Sequence, residues 1–154
     1  MFKIIIIFSL LIFSHTSLAQ DFNLPAEFGT IKLNSGFTPD PFTFGVVSGG
    51  SIDASGLRKG CAGFIANAPD FEFTFDSGSL DLYVSVISDE DTTLVINTPS
   101  GGWICDDDSG GDLDPSIHFS RPADGAYDVW IGTYDSTGTY EATLYISELS
   151  MYGD

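Results

Sequence analysis

Alternation with a period of two is the strongest constraint on this chain. Phe71, Phe73 and Phe75 alternate with Glu72 and Thr74, and Leu80, Leu82, Val84 and Val86 with Asp81, Tyr83 and Ser85. Tyr127, Val129 and Ile131 alternate with Asp128, Trp130 and Gly132, and Tyr140, Ala142, Leu144 and Ile146 with Glu141, Thr143, Tyr145 and Ser147. Successive side chains of a strand point to opposite faces, so each segment buries one face and leaves the other polar. Residues 93–98 continue the pattern with Leu94 and Ile96 inward, and residues 117–119 form a short strand ended by Pro122. Residues 30–33 and 42–47 read as two earlier strands. Gly, Pro, Ser, Thr and Asp punctuate these runs, as turns require. No stretch beyond residue 19 sustains a 3.6-residue period. The expected fold is all-β, a two-sheet antiparallel β-sandwich of jelly-roll type with one disulfide. Asp76-Ser77-Gly78-Ser79 is expected to close a hairpin between the segments on either side of it.

Residues 1–19 read as a secretory signal peptide rather than as part of the fold. Lys3 supplies the positive start, residues 4–13 an apolar run broken only by Ser9, and Ser17-Leu18-Ala19 the small residues before a cut. The run is about half the ~20 residues that a spanning helix needs. Residues 20–29 are then a loose lead, residues 30–148 the sandwich and residues 149–154 a frayed tail. The expected location is secreted or periplasmic.

The charge balance narrows the partners. Removing Lys3 with the leader leaves 22 acidic residues against 4 basic ones. Nucleic acid is excluded, because phosphate neutralisation needs clustered Lys and Arg. Divalent cations and basic partners are favoured, although the charge also serves simply to keep an exported chain soluble. Cys61 and Cys105 are the only cysteines. In an oxidising compartment two cysteines of one small domain pair, and Trp103 is expected to pack against the bridge.

The acidic loop is the clearest candidate site. Asp106, Asp107, Asp108, Asp112 and Asp114 fall within a glycine-rich stretch, with Asp89 and Asp91 on a second acidic turn. Calcium takes six to eight oxygens at about 2.3–2.6 Å, and short Asp side chains on a flexible loop can wrap such an ion. The alternative is that Asp and Gly are there only as turn formers. Tyr83, Trp130 and Tyr145 share the outward register of their strands and form a candidate ligand-binding platform, unless another segment covers them. Catalytic residues are not expected. His15 lies in the leader, and His118 sits alone between Ile117 and Phe119 without a nucleophile motif. Acids are plentiful enough that a carboxylate-based enzyme remains an alternative by count.

The order of several short motifs resembles the bacterial pre-peptidase C-terminal domain family. They are Leu82-Tyr83-Val84, Asp91-Thr92-Thr93-Leu94-Val95-Ile96, Pro99-Ser100-Gly101, Asp106-Asp107-Asp108-Ser109-Gly110-Gly111, residues 122–132 and Tyr140-Glu141-Ala142-Thr143-Leu144. Upstream, Gly56-Leu57 to Pro69-Asp70-Phe71 fits a variant with a cysteine on each side. The resemblance implies a β-sandwich with an accessory role in export, anchoring or substrate adhesion. It further implies that calcium or a polymer such as collagen is a possible ligand class. No peptidase domain precedes the module, so it is expected to act alone or on a separately encoded partner. The partner classes are therefore an extracellular polymer or a secreted protein, such as a peptidase or other hydrolase.

Overall fold

The computed structural model describes residues 20–135 and 137–153. The proposed leader, residues 1–19, lies outside the described residues. Among the described residues eleven strands form two sheets: β1 (Gly29–Asn34), β2 (Phe42–Val47), β3 (Ile52–Asp53), β4 (Phe64–Ile65), β5 (Phe71–Asp76), β6 (Leu82–Ser88), β7 (Thr92–Asn97), β8 (Trp103–Asp106), β9 (Ser116–Phe119), β10 (Gly125–Thr133) and β11 (Glu141–Ser147). Among the described residues the only helical element is one 3-10 turn, Ala54–Gly56. The larger sheet runs β1-β5-β10-β4-β3, with β7 and β8 on the other side of β10, and the smaller runs β2-β11-β6-β9. All pairs are antiparallel except β1 and β5, which run parallel from Gly29↔Phe71 to Asn34↔Asp76.

Apart from Leu80, which precedes β6 and is exposed, the alternation places the core where the sequence put it. Leu82, Val84, Leu94, Ile96, Val129, Ile131, Leu144 and Ile146 are all fully buried between the sheets. Phe71, Phe73 and Phe75 join them, and the Phe73 ring stacks on Tyr127 at 4.8 Å. The Tyr127 hydroxyl bonds back to the Ala123 backbone, accepting from N and donating to O at 2.9 Å each. The expected hairpin at residues 76–79 does not form. β5 belongs to the larger sheet and β6 to the smaller, so the turn is an arch between layers. Both arrangements bury the same alternate side chains, and alternation cannot separate them.

A second, smaller core lies on the outside of the larger sheet. Ala54, Cys61, Ile65, Val95 and Trp130 form it, with Ile52, Leu57, Trp103 and Cys105 against them. The segment from β3 to β4 is folded over the sheet as a flap, and the Cys61–Cys105 disulfide ties it to β8. Glycine permits this close approach. A Cβ on Gly132 would lie 2.8 Å from Ile65 Cγ2 and 2.9 Å from Phe64 O. The lead and tail are docked rather than loose. Asp21, Glu27 and Phe28 N–H groups donate to Asn67, Pro69 and Asp70 carbonyls, and Tyr152 N donates to Ser85 Oγ at 3.1 Å.

The bridge closes a loop between cysteines 44 residues apart, worth about 4 kcal/mol in the chain-entropy model. Cys61→Ser with Cys105→Ser is therefore expected to lower urea stability by up to that amount. The flap should loosen first, so Trp130 fluorescence should shift red and become open to acrylamide before the far-ultraviolet dichroism of the sheets is lost. Simultaneous loss of both signals would show that the flap and sandwich unfold as one unit.

Candidate functional site

The five loop carboxylates fall into three groups. Asp106 Oδ2 accepts from Ser109 N at 2.9 Å and Ser116 N at 2.8 Å, while its Oδ1 accepts from Ser109 Oγ at 2.6 Å. It thereby closes both ends of the loop between β8 and β9. Asp114 is 2 % exposed and accepts from Ser88 N at 3.1 Å, fastening the loop to the end of β6. These two acids satisfy backbone donors that would otherwise be stranded. Asp112 occupies a left-handed backbone position, φ 46°, and lines a recess with Asp89 and Glu90.

Asp107 and Asp108 act instead on Asp91, on the turn between β6 and β7, through their charge. Burial raises the Asp91 carboxyl above its ordinary range, and the charges of Asp108, Asp135 and Asp107 add to the effect. Asp107 is raised by burial and then by Asp108 and Asp106. Asp91 Oδ1 is shielded from solvent and has no hydrogen-bond partner among the described residues. Asp135, in the turn after β10, joins this field without having stood out in the sequence, where its segment read simply as a turn. Among the described residues, no three acidic, His or Cys side chains are gathered tightly enough to hold a metal.

The three aromatic candidates do not share a platform. Trp130 is fully buried under the flap, with its ring 5.2 Å from that of Trp103. Its outward register is correct, but the disulfide-tied segment covers it. Tyr83 and Tyr145 lie on the outer face of the smaller sheet and are partly exposed. Tyr83 stacks on His118 at 4.4 Å with the rings 5° from parallel, and Tyr145 stacks on Tyr152 at 5.1 Å and 12°. His118 Nε2 lies 2.8 Å from Asp81 Oδ2. The Ser85 and Ser116 hydroxyls on this face bond each other at 2.8 Å. His118 is thus engaged by a carboxylate and a ring, and the hydroxyls are engaged with one another.

Two carboxylates in the larger sheet were not anticipated as special. β5 and β4 both flank one edge of β10 and leave a gap between them at Ile131. Asp70 fills it: Ile131 N donates to Asp70 Oδ2 at 2.7 Å. Asp70 is 2 % exposed, and burial pushes its carboxyl up to about 7, against the lowering effect of the Ile131 N–H, with Glu27 adding to the rise. Asp128 is raised to about 6 by burial and by Glu72, its cross-strand partner.

No family model matches the chain, and no curated protein matches it. Among solved structures it is similar to the pre-peptidase C-terminal domain of collagenase from Bacillus anthracis. Identity there is 17% and the TM-score 0.44, over 81% of this chain and 99% of that one. It is also similar to Aeromonas hydrophila PliG, a periplasmic lysozyme inhibitor of g-type lysozyme, at 11% identity and TM-score 0.38, over 77% and 97% of the two chains. Both likenesses are of fold alone.

The raised carboxylates set a pH dependence. An acid whose folded-state pKa exceeds its unfolded value binds more protons when folded, so the stability it contributes is lost as pH rises through the folded value. This window runs from near 4 to about 7 for Asp70 and from near 4 to about 6 for Asp128. The Asp70 displacement corresponds to roughly 4 kcal/mol. Urea stability is expected to fall across that window and Asp70→Asn to flatten the fall, since the amide oxygen keeps the Ile131 bond without a charge. A variant that retains the full slope would place its origin elsewhere.

Proposed function

We propose that this chain is an exported, non-catalytic binding module that adheres to an extracellular polymer through the outer face of its smaller sheet. The observation that carries this reading is the pair of ring stacks, Tyr83–His118 and Tyr145–Tyr152, on that face. The outer face of the larger sheet carries a flap, whereas these rings remain partly open to solvent. Flat aromatic faces stack on sugar rings and on apolar polymer side chains. The neighbouring Asp81–His118 pair offers polar groups to orient a ligand. The acidic surface disfavours polyanions as the polymer. In binding assays against insoluble polysaccharides and matrix proteins, Tyr83→Ala with Tyr145→Ala should weaken retention about tenfold or more, as loss of two stacking residues implies. Unchanged melting behaviour in the variant makes this reading specific to the face. Retention only on a secreted hydrolase, with none on any polymer, would favour the accessory role instead.

Calcium belongs to the same proposal as a stabiliser. The acids proposed to take it are Asp91, Asp107 and Asp108, which would have to draw closer together to do so, because Asp106 and Asp114 are already committed to backbone donors. The unpartnered Asp91 Oδ1 and the raised Asp91 and Asp107 carboxyls support it. A cation there would relieve repulsion among these acids. At a hundred times its dissociation constant, calcium should add about 2.7 kcal/mol, which corresponds to several degrees of melting temperature. Asp91→Asn with Asp107→Asn should abolish that gain. Identical melting in chelator and in millimolar calcium would leave these side chains as solvated turn residues.

A further inference from the structure

We propose that a recess on the outer face of the larger sheet is a second binding site, which takes a neutral sugar ring through two adjacent hydroxyls. The flap covers Val95 and Trp130 on this face. Asn97 and Asp128 stand opposite each other one alternate position further from it on the same two strands. They line a recess of about 350 Å³ together with Phe22, Pro99, Asp124 and Ala126. Asn97 is 4 % exposed and Asp128 7 %. The Asn97 Nδ2 is shielded and has no hydrogen-bond partner among the described residues. The Asp128 carboxyl has none there either, and burial and then the charge of Glu72 raise it. A donor and an acceptor left unmade side by side are both costly.

These two groups set the chemistry of the ligand. An ionised carboxylate only accepts hydrogen bonds, and an amide nitrogen only donates them. Cβ atoms directly opposite in an antiparallel pair lie about 4.5–5.5 Å apart, so one small ligand can meet both. It must present a donor and an acceptor on neighbouring atoms. A hydroxyl is both, and a sugar carries hydroxyls on adjacent carbons. One donates to Asp128 in a charge-assisted bond. Its neighbour accepts from Asn97 Nδ2, which swings out from its shielded position to meet it. The half-exposed Phe22 ring on the wall offers an apolar face to the C–H side of the sugar. An ammonium or guanidinium group would satisfy Asp128 and leave Asn97 without an acceptor. Asp124 on the rim and Glu72 across from Asp128 repel uronates and sulfated sugars. The site is independent of the ring-bearing face, which lies on the other sheet.

The test is a nitrogen-15 NMR titration of the exported protein with the methyl glycosides of glucose, galactose and mannose. At least one should give saturable shifts at the Asn97 side-chain amide and at the backbone of Phe22 and Asp128. Glucuronate, methylammonium and guanidinium should give none. Asp128→Asn, which keeps the shape, should weaken the binding about tenfold or more, as loss of a charge-assisted bond implies. Phe22→Ala, a change at a half-exposed ring of the lead, should weaken it as well and serves if the first variant does not fold. Tyr83→Ala with Tyr145→Ala should leave these shifts in place, which separates this site from adhesion through the smaller sheet. Absence of saturable shifts with every sugar would overturn the proposal. Saturation by methylammonium or guanidinium in their place would overturn the sugar class and mark the recess as a site for organic cations.

Discussion

Strand β10 is the member on which the two layers depend. Its inward residues Tyr127, Val129 and Ile131 fill the space between the sheets, and its outward Trp130 fills the space beneath the flap. It is flanked by β5 and then β4 on one edge and by β7 on the other. A strand buried on both faces cannot use water to satisfy any of its backbone, so every edge group must find a protein partner. That requirement explains why a carboxylate is built into the sheet at Asp70. The cost is an acid held away from water, and the benefit is a continuous ladder across a place where two neighbouring strands fail to meet.

The two outer faces therefore have different characters. The larger sheet is closed by a flap, a disulfide and the docked lead. The smaller sheet carries a short tail and a set of paired rings. Much of the chain's covering material lies on one side, and the side proposed to bind the polymer is the one that keeps its aromatic surface accessible. The acidic loops sit at the ends of β6, β8 and β10, where their backbone bonds already brace the sandwich. A cation there would strengthen an edge that is ordered by hydrogen bonds in its absence.

The alternation made the inner core legible residue by residue, because one register buries Leu82, Val84, Leu144 and Ile146 and the other does not. The lone cysteine pair was legible for the same reason: few alternatives exist. What covers a strand's second face was not legible. Period two assigns Trp130 to the outside of its sheet but carries no information about a flap arriving from residues 52–65. Gly132 and Cys105 mark its arrival, since a strand gives up a side chain where another backbone approaches closely. The short strands β3, β4 and β8 escaped notice because two to four residues show no period. Counting carboxylates also could not separate Asp106 and Asp114, which hold backbone donors, from Asp91, Asp107 and Asp108, which repel one another.

The docking of the last few residues bears on how this domain can be joined to anything else. Tyr152 lies on Tyr145, and Gly153 passes so close to Gly110 that a Cβ there would meet its carbonyl oxygen at 2.1 Å. A polypeptide attached beyond Gly153 leaves from the seam between the ring-bearing face and the acidic loop. An affinity tag or reporter at that end would shade both surfaces at once, and a polyhistidine tag would also set metal-binding groups beside the carboxylates. Attachment through an exposed turn such as residues 99–102 leaves that seam clear.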